Sequence, residues 1–103
     1  MKQREDRYFV LTPYNPDEAM TLQQAAHRAQ KVENTIRNWC EREGLGRRIG
    51  GKWCVSKVAL EMYLDGEGAT LDRYLKGDRQ SADVAAYFAK FMLPMEALVL
   101  TGH

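Results

Sequence analysis

Apolar and polar positions change their period several times along the chain, and each change predicts an element. Between residues 22 and 30 the apolar Leu22, Ala25, Ala26 and Ala29 recur at the three- and four-residue spacing that gathers them on one helix face. Thr21 stands just before them and Gln24 follows three residues on, the pairing of a capping box. A second helix is predicted from about Asn34 to Glu43. It places Ile36, Trp39 and Cys40 on one side and Asn34, Arg37, Asn38, Glu41 and Arg42 on the other, and Gly44 and Gly46 close it. The period then drops to two, with Ile49, Trp53 and Val55 alternating around Gly50-Gly51, which predicts a β-hairpin flanked by Arg47, Arg48 and Lys52. Ser56 is placed to cap a third helix with an Ala59, Leu60, Tyr63, Leu64 stripe, ended by Asp65-Gly66-Glu67-Gly68.

On either side of this unit the pattern is less regular. Tyr8-Phe9-Val10-Leu11 reads as a short β-strand, and Pro13 and Pro16 bar a helix after it, so residues 1–19 are expected to form an arm containing that strand. Downstream, Leu71, Tyr74 and Leu75 predict a short amphipathic piece, and Gly77-Asp78 a break. A Ser81-capped helix carrying Val84, Tyr87, Phe88, Phe91 and Met92 follows, limited by Pro94. The run Met95 to Leu100 is almost wholly apolar and too short for periodicity to separate helix from strand. Three parts result: the arm (1–19), a compact unit (20–66) and an extension (67–103) that either packs back on the unit or meets a protein partner.

Composition narrows the classes. A chain of 103 residues has room for one small domain, and 45% hydrophobic residues argue against global disorder. No apolar run approaches the roughly eighteen residues of a membrane span, and Met1 to Asp6 leads into no signal-type segment, so a soluble intracellular protein is expected. Cys40 and Cys54 lack CxxC spacing and read as reduced thiols; with His27 and His103 they lack the close pairing of a zinc site, so no metal is expected. Gly44-Leu45-Gly46 and Gly50-Gly51 lack the Lys-Ser/Thr or strand-to-helix setting of a nucleotide loop. With no nucleophile–base pair either, neither an enzyme nor a cofactor is expected.

Charge is where the sequence becomes informative. The total is only +1, but residues 28–57 hold eight Lys/Arg against three Glu, a net +5, which leaves seven against eleven, a net −4, for the rest. Nucleic-acid binding needs a local cationic surface and does not need a basic protein. Helix, tight turn, helix, basic hairpin, helix is the order of a winged helix-turn-helix, a mainly α fold with a small β-hairpin wing, here with a C-terminal helical extension. On this reading the recognition helix offers Asn34, Thr35, Arg37, Asn38 and Arg42 to base edges. The turn and wing bring Arg28, Lys31, Arg47, Arg48 and Lys52 to phosphates. A polar helix face or a basic hairpin taken alone is usually just solvated surface, and it is their conjunction in one short unit that points to double-stranded DNA. Trp39 and Trp53 sit on inward stripes and are assigned to packing rather than to base stacking.

The stretch Met20 to Gly66 resembles the small excisionase and MerR-like winged-helix family. The resemblance rests on Thr21-Leu22-Gln23-Gln24-Ala25-Ala26, on Thr35-Ile36-Arg37-Asn38-Trp39, on Arg48-Ile49-Gly50-Gly51-Lys52-Trp53 and on Ala59 to Leu64. It covers a little under half the chain. Where that family has Gly, an apolar residue and Ser or Thr in the turn, this chain has Gln30-Lys31-Val32. The resemblance implies a recombination directionality factor of a phage or other mobile element. Such a protein acts in the bacterial cytoplasm on nucleoid DNA without being a catalyst. Several copies would bind adjacent sites near an attachment site, bend the DNA and direct a separate integrase toward excision, with residues 67–103 available for self-association. A winged-helix transcriptional regulator needs the same base-reading helix and wing, and one protein can fill both roles. A ring-forming packaging component like a small terminase subunit, and a protein-interaction module that binds no nucleic acid, remain as rivals from other classes.

Overall fold

The computed structural model describes residues 8–91. In chain order it contains β1 (Ala19–Met20), α1 (Leu22–Ala29), α2 (Glu33–Glu43), β2 (Gly46–Ile49), β3 (Lys52–Ser56), α3 (Lys57–Leu64), α4 (Gly68–Leu75) and α5 (Ala82–Lys90). The strands form one antiparallel sheet in the order β1-β3-β2. Five helices beside a small sheet, with the β2–β3 hairpin following the two leading helices, make a winged helix-turn-helix of α+β class.

Local chemistry sets most boundaries. The Thr21 hydroxyl accepts the Gln24 amide at 3.0 Å and the Gln24 side chain accepts the Thr21 amide at 2.9 Å, closing both ends of the capping box of α1. Gln30 ends that helix in the left-handed region at φ 59°, and the next amide, of Lys31, bonds back to the Ala26 carbonyl at 2.9 Å. At the hairpin tip Gly50 and Gly51 both have positive φ, 61° and 82°, as a two-residue turn matched to strand twist requires. The Ser56 hydroxyl accepts the Ala59 amide at 3.0 Å and starts α3.

One continuous core joins the parts. Ala25, Ala26, Ile36, Cys40, Leu45, Val55, Val58, Leu60 and Met62 fill the helix-turn-helix, and Val10, Leu11, Leu71, Tyr74, Leu75, Val84 and Phe88 extend the same cluster into the arm and α4–α5. The described part of the extension therefore packs back on the unit. This supplies apolar burial that a winged helix of fewer than fifty residues lacks by itself.

Three expectations are corrected. Tyr8–Leu11 is not a strand. Leu11 has φ 54°, outside the extended region, and the segment pairs with no strand of the sheet. The arm's backbone is satisfied from elsewhere. The Phe9 amide donates to the Leu75 carbonyl at 2.9 Å, and the buried Arg79 guanidinium donates to the Phe9 and Thr12 carbonyls at 2.6 and 2.9 Å. The strand near the N-terminus is instead β1, two residues long and paired with Val55 and Ser56. Second, Ser81 does not cap α5 with its side chain; its hydroxyl donates to Asp78, which also accepts the Gln80 and Ser81 amides at 2.8 and 3.0 Å. These bonds hold the Asp78 carboxyl down at about 2. Third, α5 stops at Lys90, before Phe91. Met92, Pro94 and the Met95–Leu100 run lie outside the described residues.

Beneath the wing, Tyr74 and Ser56 both donate to the buried Glu18 carboxylate, Ser56 at 2.6 Å, while the Leu11 amide donates to the Tyr74 hydroxyl at 3.0 Å. Burial first and the Glu18 charge second push the Tyr74 phenol far above its ordinary value. Arg79 lies 4.0 Å over the Tyr74 ring and also donates to its carbonyl at 2.8 Å. Arm, wing base and extension meet at these four side chains.

Candidate nucleic-acid interface

The turn between α1 and α2 is Gln30-Lys31-Val32. Val32 holds the N-cap position in extended conformation with no side-chain cap, and the helix proper begins at Glu33. An exposed, uncapped helix start leaves its first amides available to an anion. The Val32 side chain is 69% exposed beside the exposed Lys31, so both stand at the mouth of the helix.

Along α2 the buried residues are Ile36 and Cys40, and Trp39 packs 4.8 Å from the Tyr63 ring. That anchoring turns Asn34, Arg37, Asn38 and Arg42 outward, all exposed, while Thr35 is half-buried. Asn34, Arg37, Asn38 and Glu41 follow one another at three, four and seven residues and share one stripe. Within it an Arg37 Nη1 donates to the Asn34 side-chain oxygen at 3.0 Å. This contact occupies the Asn34 acceptor and steadies a guanidinium that keeps four further donors.

The wing arginines fall on opposite faces. Arg48 pairs with Trp53 and Gly46 with Val55, so these four share one face, and a Cβ on Gly46 would lie 2.9 Å from Cys40 Sγ of α2. Arg48 is thus on the side of the hairpin that faces α2, its guanidinium 5.5 Å from the centre of the Trp53 ring. Arg47 takes the other face, where its Nη1 donates to the Thr12 hydroxyl of the arm at 3.1 Å. Lys52 is exposed at the start of β3 beside the Gly-Gly tip.

Arg28, read from the sequence as a turn residue, is engaged elsewhere. Its guanidinium donates at 2.7 Å to the buried Glu61 carboxylate of α3, which also takes Lys90 of α5 at 3.3 Å. Arg28 and Glu61, with Met20, Lys57 and Phe91, line a cavity of about 180 Å³. The long-range partners of Arg28 and Arg47 carry no local sequence signal. The exposure of Val32 was equally hidden, because an apolar residue in a turn reads as core.

The α1–turn–α2 unit, its wing and α3 therefore make one contiguous element with a polar helix face beside a basic hairpin. The family model of the helix-turn-helix domain matches residues 19–68. Those residues form a helix-turn-helix domain. Its matched span opens with β1 and closes as α4 begins, so most of α4 and all of α5 lie beyond it. No curated protein and no solved structure matches the chain. A helix-turn-helix domain implies binding to double-stranded DNA. Among the described residues no helix is long and apolar enough to cross a membrane, and no three His, Cys, Asp or Glu side chains cluster as metal ligands.

Proposed function

We propose that the chain is a sequence-specific DNA-binding accessory protein of the excisionase type. It would bind beside an attachment site, bend the duplex and direct a separate integrase toward excision, with no catalysis of its own. The observation that carries this reading is the placement of Arg48 on the wing face turned toward α2. One approach to DNA then brings the Asn34-Arg37-Asn38 stripe to a major groove and the wing to the neighbouring backbone or minor groove. Arg37 would read a guanine edge and Asn38 an adenine, while Lys31, Arg48 and Lys52 neutralise phosphates.

Charge supports a cooperative mode. Helix α2 itself holds Glu33, Glu41 and Glu43 against Arg37 and Arg42, a net −1, so phosphate affinity falls to a few turn and wing cations. One copy then releases few counterions, and adjacent copies would supply the few kcal/mol that bending requires. Footprinting of the full chain on the attachment and promoter regions of its own genetic neighbourhood tests the reading. Tandem protected sites flanking an attachment core, with bent DNA, support it; protection confined to a promoter would replace it with a transcriptional role.

A further inference from the structure

The acidic residues of α2 are an anomaly in a helix that enters a groove lined by phosphates, and two of the three have a reason within the fold. Glu33 is the first helical residue, where a carboxylate offsets the positive end of the helix dipole. Glu43 lies close to Tyr63, whose phenol is raised first by burial and second by the Glu43 charge. Glu41 has no such account. It is exposed, makes no hydrogen bond or ion pair among the described residues, and sits in the last turns, where the dipole disfavours a carboxylate. Its candidate partner four residues back, Arg37, is turned the other way, onto Asn34. An Arg-before-Glu order is also the weaker of the two i,i+4 arrangements.

Resting on the helix-turn-helix reading above, we infer that Glu41 is a specificity-determining residue that accepts from the N4 amino group of a cytosine in the major groove. Glu41 continues the Asn34-Arg37-Asn38 stripe by one turn. The rise from Arg37 to Glu41 is about 6 Å, one to two base steps of about 3.4 Å, so the two side chains address different base pairs. A carboxylate only accepts, and the major-groove edge that offers a donor without a flanking acceptor is that of cytosine; adenine sets N7 beside its amino group, and guanine and thymine present acceptors. Elsewhere the carboxylate is repelled by phosphates, so its cost is recovered at a site that contains the cytosine.

The test is selection from a randomised double-stranded DNA library by the full chain and by its Glu41→Ala and Glu41→Gln variants. Glu41 is exposed and unpartnered among the described residues, so both variants should melt with the wild type. The wild type should select a site with one cytosine position that Glu41→Ala relaxes by about tenfold while other positions keep their preference. Glu41→Gln should move the same position toward adenine, which an amide reads bidentately. If both variants bind every duplex more tightly and keep the wild-type preferences throughout, Glu41 is only a repulsive surface charge and the inference is overturned. A wild type that selects no sequence would overturn the proposed sequence-specific DNA binding and this inference with it.

Discussion

Replacing Tyr74 by Phe tests how arm, wing and extension are held together, because it keeps the ring and removes one oxygen. That oxygen donates to Glu18 and accepts the Leu11 amide at 3.0 Å, with Ser56 Oγ 3.2 Å away. Tyr74 is 0% exposed and Glu18 3%, so water cannot replace what is lost. An orphaned buried amide costs about 1–3 kcal/mol, and loss of a hydrogen bond to a charged group about 1.5–3 kcal/mol. Together a loss of about 2.5–6 kcal/mol is expected, a large share of the roughly 5–15 kcal/mol typical of small domains. Urea unfolding followed by tryptophan fluorescence measures it, with Tyr87→Phe as the control. That variant removes an exposed bond to Asp65 and should cost less than about 1 kcal/mol. The pH dependence gives a second readout. A phenol raised in the fold ionises more readily when unfolded, so its contribution is intact below the ordinary value of 10.0 and fades as pH rises above it. Tyr74→Phe should flatten that alkaline decline. A loss under about 1 kcal/mol with an unchanged urea slope would refute the reasoning.

Other outcomes follow from the same contacts. Arg48→Ala should weaken binding to all duplexes alike and lower the slope of log affinity against log salt by about one, whereas Arg47→Ala should mainly lower stability, by about 1 kcal/mol through loss of its Thr12 bond, with a smaller change in salt slope. Gel shifts over a salt series and urea melts separate the two. Gly51→Val forces a β-branched residue to φ 82° at the wing tip, so it should lower the melting temperature through strain of about 1–3 kcal/mol and reduce DNA affinity in gel shifts. Asp78 has its carboxyl lowered to about 2 from 3.8, so its contribution is present above about pH 4 and is lost as pH falls toward 2; Asp78→Asn should remove that component of the acid unfolding curve.

The parts legible in the sequence were those whose cause is local. Thr21 with Gln24, Ser56 before Ala59, and Gly50-Gly51 between alternating residues each determine a boundary through neighbours a few positions away. The arm was misread because Phe9, Val10 and Leu11 satisfy strand composition while their backbone partners, Leu75, Tyr74 and Arg79, lie more than sixty residues downstream. Strand β1 is two residues long and leaves no period to detect. Arg28 and Arg47 read as free cations in a basic tract; their contacts with Glu61 and Thr12 arise only when the folded chain brings those residues near. The stripe on α2 was visible as a pattern, but the bond between Arg37 and Asn34 within it was not.

The most direct test of the central claim is a gel-shift and footprinting titration of the purified chain and its Arg37→Ala variant on DNA from its own genetic neighbourhood, over a salt series. The account predicts tandem protected sites, affinity that falls with salt, and a variant that still binds DNA but loses about 1–3 kcal/mol of preference at one base pair. Absence of sequence-dependent protection at every salt concentration, or a variant with unchanged sequence preference, would contradict it.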